Sequence, residues 1–108
     1  DGLSFFIKIS SGSFEIMIYN KNEFVFFNTF KIVDENEFLY YTFFVLKNFQ
    51  SSIKKDKIIF IGKHEIFDNY YNLASKYSRI DFVEDGAHSI LNFEDNFFSV
   101  INANNIRD

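Results

Sequence analysis

The sequence predicts an α/β domain on a mixed five-stranded sheet, and three observations predict it. Three segments of alternating apolar and polar residues open the chain, separated by short polar turns. A helical stripe with an acidic start follows them. After it comes Ile58-Ile59-Phe60-Ile61, an apolar run without alternation, as in strands covered on both faces and paired in parallel. The chain has 108 residues, which suits one domain with its own core.

Taken in order, Leu3, Phe5, Ile7 and Ile9 alternate with Ser4, Lys8 and Ser10, and Phe6 interrupts the polar side. Ser10-Ser11-Gly12-Ser13 is a turn. Phe14, Ile16 and Ile18 alternate with Glu15, Met17 and Tyr19 to give a second strand. A second turn falls at Asn20-Lys21-Asn22, where asparagine tolerates left-handed backbone angles. Glu23 to Lys31 is a third, Phe-rich strand, and short turns make the three an antiparallel meander.

Asp34 with Glu37 three residues on predicts a capped helix start. The helix runs to about Ser51, with Phe38, Thr42, Val45, Leu46 and Phe49 as its core stripe. Lys57 to Ile61 is the fourth strand, closed by Gly62. A second helix runs from His64 or Glu65 to Ser78, with Ile66, Phe67, Tyr70, Leu73, Ala74 and Tyr77 on its apolar face. Ile80 to Val83 is the fifth strand, and a loop around Asp85-Gly86 follows. Asn92 to Ile101 reads as a last helix with Phe97, Phe98 and Ile101 turned inward. The order β-β-β-α-β-α-β is that of the ribonuclease-H-like fold, on which each half of the actin and sugar-kinase superfamily is built.

Composition removes several functions. There is no cysteine, so thiolate zinc sites and cysteine nucleophiles are excluded, and a cytoplasmic setting is expected. The net charge is −4 and the basic residues are scattered, which argues against nucleic-acid binding. The one tight basic group, Lys54, Lys55 and Lys57, reads as a solvated turn. No apolar run reaches the roughly 18 residues of a membrane span. The 17 phenylalanines reflect an AT-rich coding bias as readily as any special chemistry. Asp1-Gly2 leads directly into a strand, as though a longer chain had been cut there.

The chemistry this fold supports asks for particular residues at particular places. A ribonuclease-H-type nuclease needs carboxylates on the first strand, first helix and fourth strand to hold two metal ions. The first strand offers Lys8 and Ser10, the fourth is apolar after Lys57, and Glu35 and Glu37 read as helix-cap charges. An actin-like ATPase half needs a phosphate-wrapping hairpin with a nearby Asp working through the metal. Ser10, Ser11, Gly12 and Ser13 occupy that hairpin, without the acidic residue and without a second glycine. The superfamily also ends a strand in Gly-Gly beside the adenosine, and here Gly62 is followed by Lys63. His64 and His88 lack partners at a metal-ligand spacing. No catalytic residue and no metal ligand is assigned.

One feature exceeds what a core requires. The first helix carries Tyr40, Phe43 and Phe44 away from its stripe, beside Lys47, Asn48 and Gln50. Contiguous exposed aromatics usually mark a contact. Two plainer readings stand beside it: the C-terminal segment folds over the patch, or composition bias put Phe there.

Phe27-Asn28-Thr29-Phe30, then Asn36-Glu37-Phe38-Leu39-Tyr40-Tyr41 and Phe43-Phe44-Val45-Leu46, resemble the C-terminal half of a bacterial family known as domain of unknown function 3822. Gly62, Lys76-Tyr77 and Phe97-Phe98 continue the likeness over nearly the whole chain. Its most specific part is Asn28 to Leu46. The resemblance implies a degenerate relative of the actin-like superfamily, built of two ribonuclease-H-like halves and distantly akin to scaffold proteins of type IV pilus machinery. It transfers no catalytic residue. The expectation is a scaffold or protein-interaction module without cofactor. It would contact a protein partner, a preceding half or a second copy through Tyr40, Phe43, Phe44 and Lys47. The competing expectation is an ATP/Mg-binding half-domain using Ser10, Ser11, Gly12, Ser13 and Gly62.

Overall fold

A computed structural model describes residues 3–49 and 56–84. Five strands form one sheet in the order β3-β2-β1-β4-β5. They are β1 (Leu3–Ser10), β2 (Ser13–Asn20), β3 (Glu23–Lys31), β4 (Lys57–Ile61) and β5 (Arg79–Val83). The first three pair antiparallel, as their short turns require, and β4 lies parallel to both β1 and β5. Helix α1 (Glu35–Asn48) leads from β3 towards β4, and helix α2 (Asp68–Ser75) links β4 to β5. The fold class and element order match those expected. The last helix, the loop at Asp85-Gly86, His88, Gln50, Lys54 and Lys55 lie outside the described residues.

Both helices pack on one face of the sheet. Phe5, Ile7, Ile9, Phe14, Ile16, Ile18, Ile58 and Phe60 meet Phe38, Val45 and Leu46 of α1 and Tyr71 and Ala74 of α2. The opposite face is also apolar. Phe6, Met17, Tyr19 and Ile61 cluster there, flanked by Phe27, Ile59 and Val83. That accounts for Phe6 and Met17, which break the alternation in sequence: these strands have an apolar environment on both sides. Burial on this face pushes the Tyr19 hydroxyl above its ordinary pKa.

Asp34 caps α1 by accepting the Glu37 N–H at 2.9 Å, so one free N–H of the first turn is satisfied. Glu37 reaches back to the Val33 N–H at 2.9 Å, one residue before the cap itself. The helix ends at Asn48, short of Ser51, because the Phe49 N–H already contacts the carbonyls of both Val45 and Leu46 in a tightened last turn. Its buried residues are Phe38, Leu39, Thr42, Val45 and Leu46. Leu39 therefore joins the stripe, and Phe49 is only half-buried, with its ring 5.2 Å from that of Phe26.

Thr42 is wholly buried and its hydroxyl has no hydrogen-bond partner. A buried unpaired hydroxyl costs about 1 to 3 kcal/mol. Thr42→Val keeps the shape and the β-branch while removing that group. The variant should gain about 1 kcal/mol and melt at least ~4 °C higher. A thermal melt by circular dichroism tests this, and a lower midpoint contradicts it.

The second helix departs from the expected register. It begins as a 3-10 turn, Glu65–Phe67, without a side-chain cap, and becomes α-helical only from Asp68. A 3-10 turn advances about 120° per residue against about 100° in an α-helix. Ile66 accordingly swings out to 74% exposure, and Tyr77, beyond the helix end, is 50% exposed. Tyr71 is buried in their place, its ring 4.9 Å from Phe60 and 5.0 Å from Phe82. Its hydroxyl accepts the His64 N–H at 3.0 Å, which supplies the partner that a buried phenol needs. The β2–β3 turn also differs: Lys21, not an asparagine, takes the positive φ of 59°.

At the outer end of the sheet Lys57 lies 3.4 Å from Asp81 across β4 and β5. A hydrogen bond from the Phe82 N–H, and then Lys57, hold the Asp81 carboxyl below its ordinary pKa. Both side chains are well exposed, so the pair contributes little to stability.

Candidate functional site

The parallel pairing decides where the sequence-predicted residues meet. Ser10 ends β1 and Gly62 follows β4, and these strands run side by side in the same direction. The Ser10–Ser13 hairpin and Gly62 therefore share the carboxyl end of the sheet. In open α/β sheets that end is where ligands bind. Helix α1 begins at the same end, because Lys31 pairs with Ser13 and the Ile32 N–H donates to the Gly12 carbonyl at 3.0 Å.

Ser10 faces Ser13 across the hairpin, with Ser11 and Gly12 as its two loop residues. Gly12 has φ +79°, which accounts for a glycine there. A side chain on it would meet nothing within 4 Å, so no close neighbour enforces that choice. Three carboxylates near the start of α1 are engaged in local structure. Asp34 and Glu37 form the cap of α1, and Glu35 accepts from the Asn69 amide at 2.9 Å. Tyr70 lies close enough that burial, then Glu35 and Asp34, push its hydroxyl above its ordinary pKa. Among the described residues no group of three histidines or carboxylates is placed to hold a metal ion.

Beyond Gly62 a cleft of about 480 Å³ opens between α2 and β5. Lys63, Glu65, Asp68 and Asn72 line it together with Tyr71 and Phe82. The Lys63 ammonium sits 5.0 Å from the centre of the Phe82 ring. The residue that interrupts the expected Gly-Gly thus contributes its side chain to the cleft wall. Sequence reading did not find this cleft, because only the parallel pairing of β4 with β5 brings Lys63 beside Phe82.

The aromatic face of α1 is partly as expected. Tyr40 is 64% and Phe44 53% exposed, one turn apart on the same side, and Lys47 is exposed beside them. Phe43 corrects the expectation. It is half-buried against the core and stacks edge-on to Tyr77 at 5.8 Å. The cause is the neighbouring α2 side, towards which residue 43 points while residues 40 and 44 point away. The exposed surface is therefore Tyr40, Phe44 and Lys47.

This fold has a solved counterpart. A protein of Bacteroides thetaiotaomicron VPI-5482 with an actin-like ATPase fold and unknown function superposes with a TM-score of 0.65 at 13% identity. The match covers 76% of this chain and 32% of the other, so this chain spans about a third of that protein's length. The domain thus shares its fold with part of a protein of actin-like ATPase fold. Residues 2–80 match the family described as Protein of unknown function (DUF3822), and the chain belongs to that family. Among curated proteins none matches it. Among the described residues no helix is long and apolar enough to cross a membrane.

Proposed function

We propose that this domain is a non-catalytic scaffold or interaction module of actin-like ancestry, working in a bacterial cytoplasm and binding a protein partner through α1. The observation that carries the reading is the exposure of Tyr40 and Phe44 on one helix face, with Lys47 at its border. Two large aromatics a turn apart supply rigid apolar area of the kind that anchors protein contacts. The partner is a preceding half of the same protein, a separate protein or a second copy. The hairpin end supports a reading without turnover: Ser10-Ser11-Gly12-Ser13 itself holds no acidic residue, and Asp34, Glu35 and Glu37 are engaged at helix ends.

Tyr40→Ser with Phe44→Ser should leave the fold intact, since both side chains are well exposed. The stability change expected is within about 1 kcal/mol. Self-association on sizing or partner capture should fall by about tenfold, a loss of about 1.4 kcal/mol. Unchanged elution and unchanged capture would remove the reading.

A second reading has its own support. The Ser10–Ser13 hairpin and Gly62 end adjacent parallel strands, as a nucleotide site of this fold requires. In it the domain binds Mg-ATP together with a preceding half that supplies the acidic residue. Calorimetry with Mg-ATP on the longest available chain separates the two readings. Micromolar heat of binding favours this second one.

A further inference from the structure

We propose that the face of α1 carrying Tyr40 and Phe44 packs on the same face of a second copy, the two helices antiparallel about a twofold axis level with Thr42. This rests on the reading of that face as a contact surface and names its partner. The first observation is an arc. At about 100° per residue, Asn36, Glu37, Tyr40, Phe44, Lys47 and Asn48 fall within about 120° of the circumference of α1. Glu37 is half-buried and the other five are exposed. That is the width a helix turns to a packed neighbour, and the core stripe of α1 lies on its other side.

The second observation is that the arc is complementary to itself. It reads Asn-acid at one end, two aromatics in the middle and base-Asn at the other. Turned antiparallel about the level of Thr42, Tyr40 meets the partner's Phe44, Lys47 meets the partner's Glu37, and Asn36 meets the partner's Asn48. Parallel packing would set Lys47 on Lys47 and Glu37 on Glu37. The Glu37 carboxylate accepts the Val33 N–H with one oxygen and keeps its charge. The third observation is the charge of the helix ends. The first turn holds Glu35 and Glu37 and the last turn holds Lys47, so antiparallel helices lay ends of opposite sign side by side. A twofold contact of this kind uses one patch twice, as closed homodimers do. Exposed ion pairs contribute little, so the aromatics supply the affinity and the charges set the direction. Two helices of four turns bury less than the roughly 1,200 Å² at the lower end of stable interfaces, so the dimer is weak.

Sedimentation equilibrium should give a dimer with a dissociation constant of about 10 to 100 µM. Lys47→Glu alone and Glu37→Lys alone should each weaken it about tenfold, because each sets like charges together at both symmetric contacts. Mixed in equal amounts, the two variants should form a heterodimer near the parental affinity, since every contact is then opposite in sign. Glu37→Lys also loses the bond to Val33, so a second measurement leaves the charges alone. The chain has no cysteine, and Asn36→Cys with Asn48→Cys places two thiols about 18 Å apart on one helix. A short bis-maleimide cannot join them within a chain but should join two chains. Rescue on mixing, or this link between chains, supports the proposal. A chain that is monomeric at about 1 mM overturns it and leaves α1 as a contact for a different partner. A dimer that Tyr40→Ser with Phe44→Ser does not weaken overturns it as well, and so does a dimer whose cysteines fail to link.

Discussion

Phe38→Ala should be the most destabilising single truncation in α1, costing about 3 to 5 kcal/mol. Phe38 is fully buried, and its position explains the size of the effect. Its ring meets Phe14 of β2 edge-on at 4.9 Å, Tyr70 of α2 at 5.6 Å and Phe60 of β4 at 6.1 Å. One side chain thus joins the antiparallel part of the sheet, the parallel part and both helices. Truncation removes the apolar area and leaves a cavity that three elements must relax together to fill. Small domains hold only about 5 to 15 kcal/mol in total, so this variant should be marginal at room temperature. Its melting point should fall by at least ~12 °C. Phe44→Ala is the control, because the same chemistry at a half-exposed site should cost under about 1 kcal/mol. Urea titration of both variants decides the matter: equal costs would mean that Phe38 is not the hub that its ring contacts describe.

How much of this was legible in the chain depends on how local the determinant is. The cap of α1 was readable because Asp34 and Glu37 act within one turn. The parallel setting of β4 was readable from an apolar run flanked by helices, since burial on both faces leaves no reason to alternate. The face of α2 was not. Its phase depends on the 3-10 turn at Glu65–Phe67, which no side chain caps, and on the His64 N–H finding the Tyr71 hydroxyl. Both are set by tertiary placement. Phe43 was misplaced for a related reason: helical periodicity gives the angle of a side chain but not where the next helix lies. The candidate nucleotide residues were recognisable individually. That Ser10 and Gly62 share one end of the sheet follows from the pairing of β1 with β4. The cleft beside Phe82 needed β5 as well.

Gly62→Val should cost about 2 to 4 kcal/mol, and Gly62→Ala about 1 to 2 kcal/mol. The cause is the backbone. Gly62 is buried with φ +79°, a region that a β-carbon disfavours and a branched one nearly forbids. Its N–H donates to the Val83 carbonyl at 2.7 Å, so the residue ties the end of β4 to the end of β5 and cannot simply swing to a relaxed φ. Chain geometry alone is therefore enough to require glycine here, and a glycine at this place is no evidence for an adenosine beside it. That sharpens the choice between the two functional readings. Under the interaction reading, both Gly62 variants lose stability in urea while the intact chain takes up no Mg-ATP in calorimetry. Under the nucleotide reading, the intact chain binds. Gly62→Ala, measured at a temperature where it is still folded, then binds more weakly by more than its unfolded fraction explains. A Gly62→Val chain as stable as the parent would show instead that the β4–β5 corner tolerates a side chain, and the conformational explanation would fall.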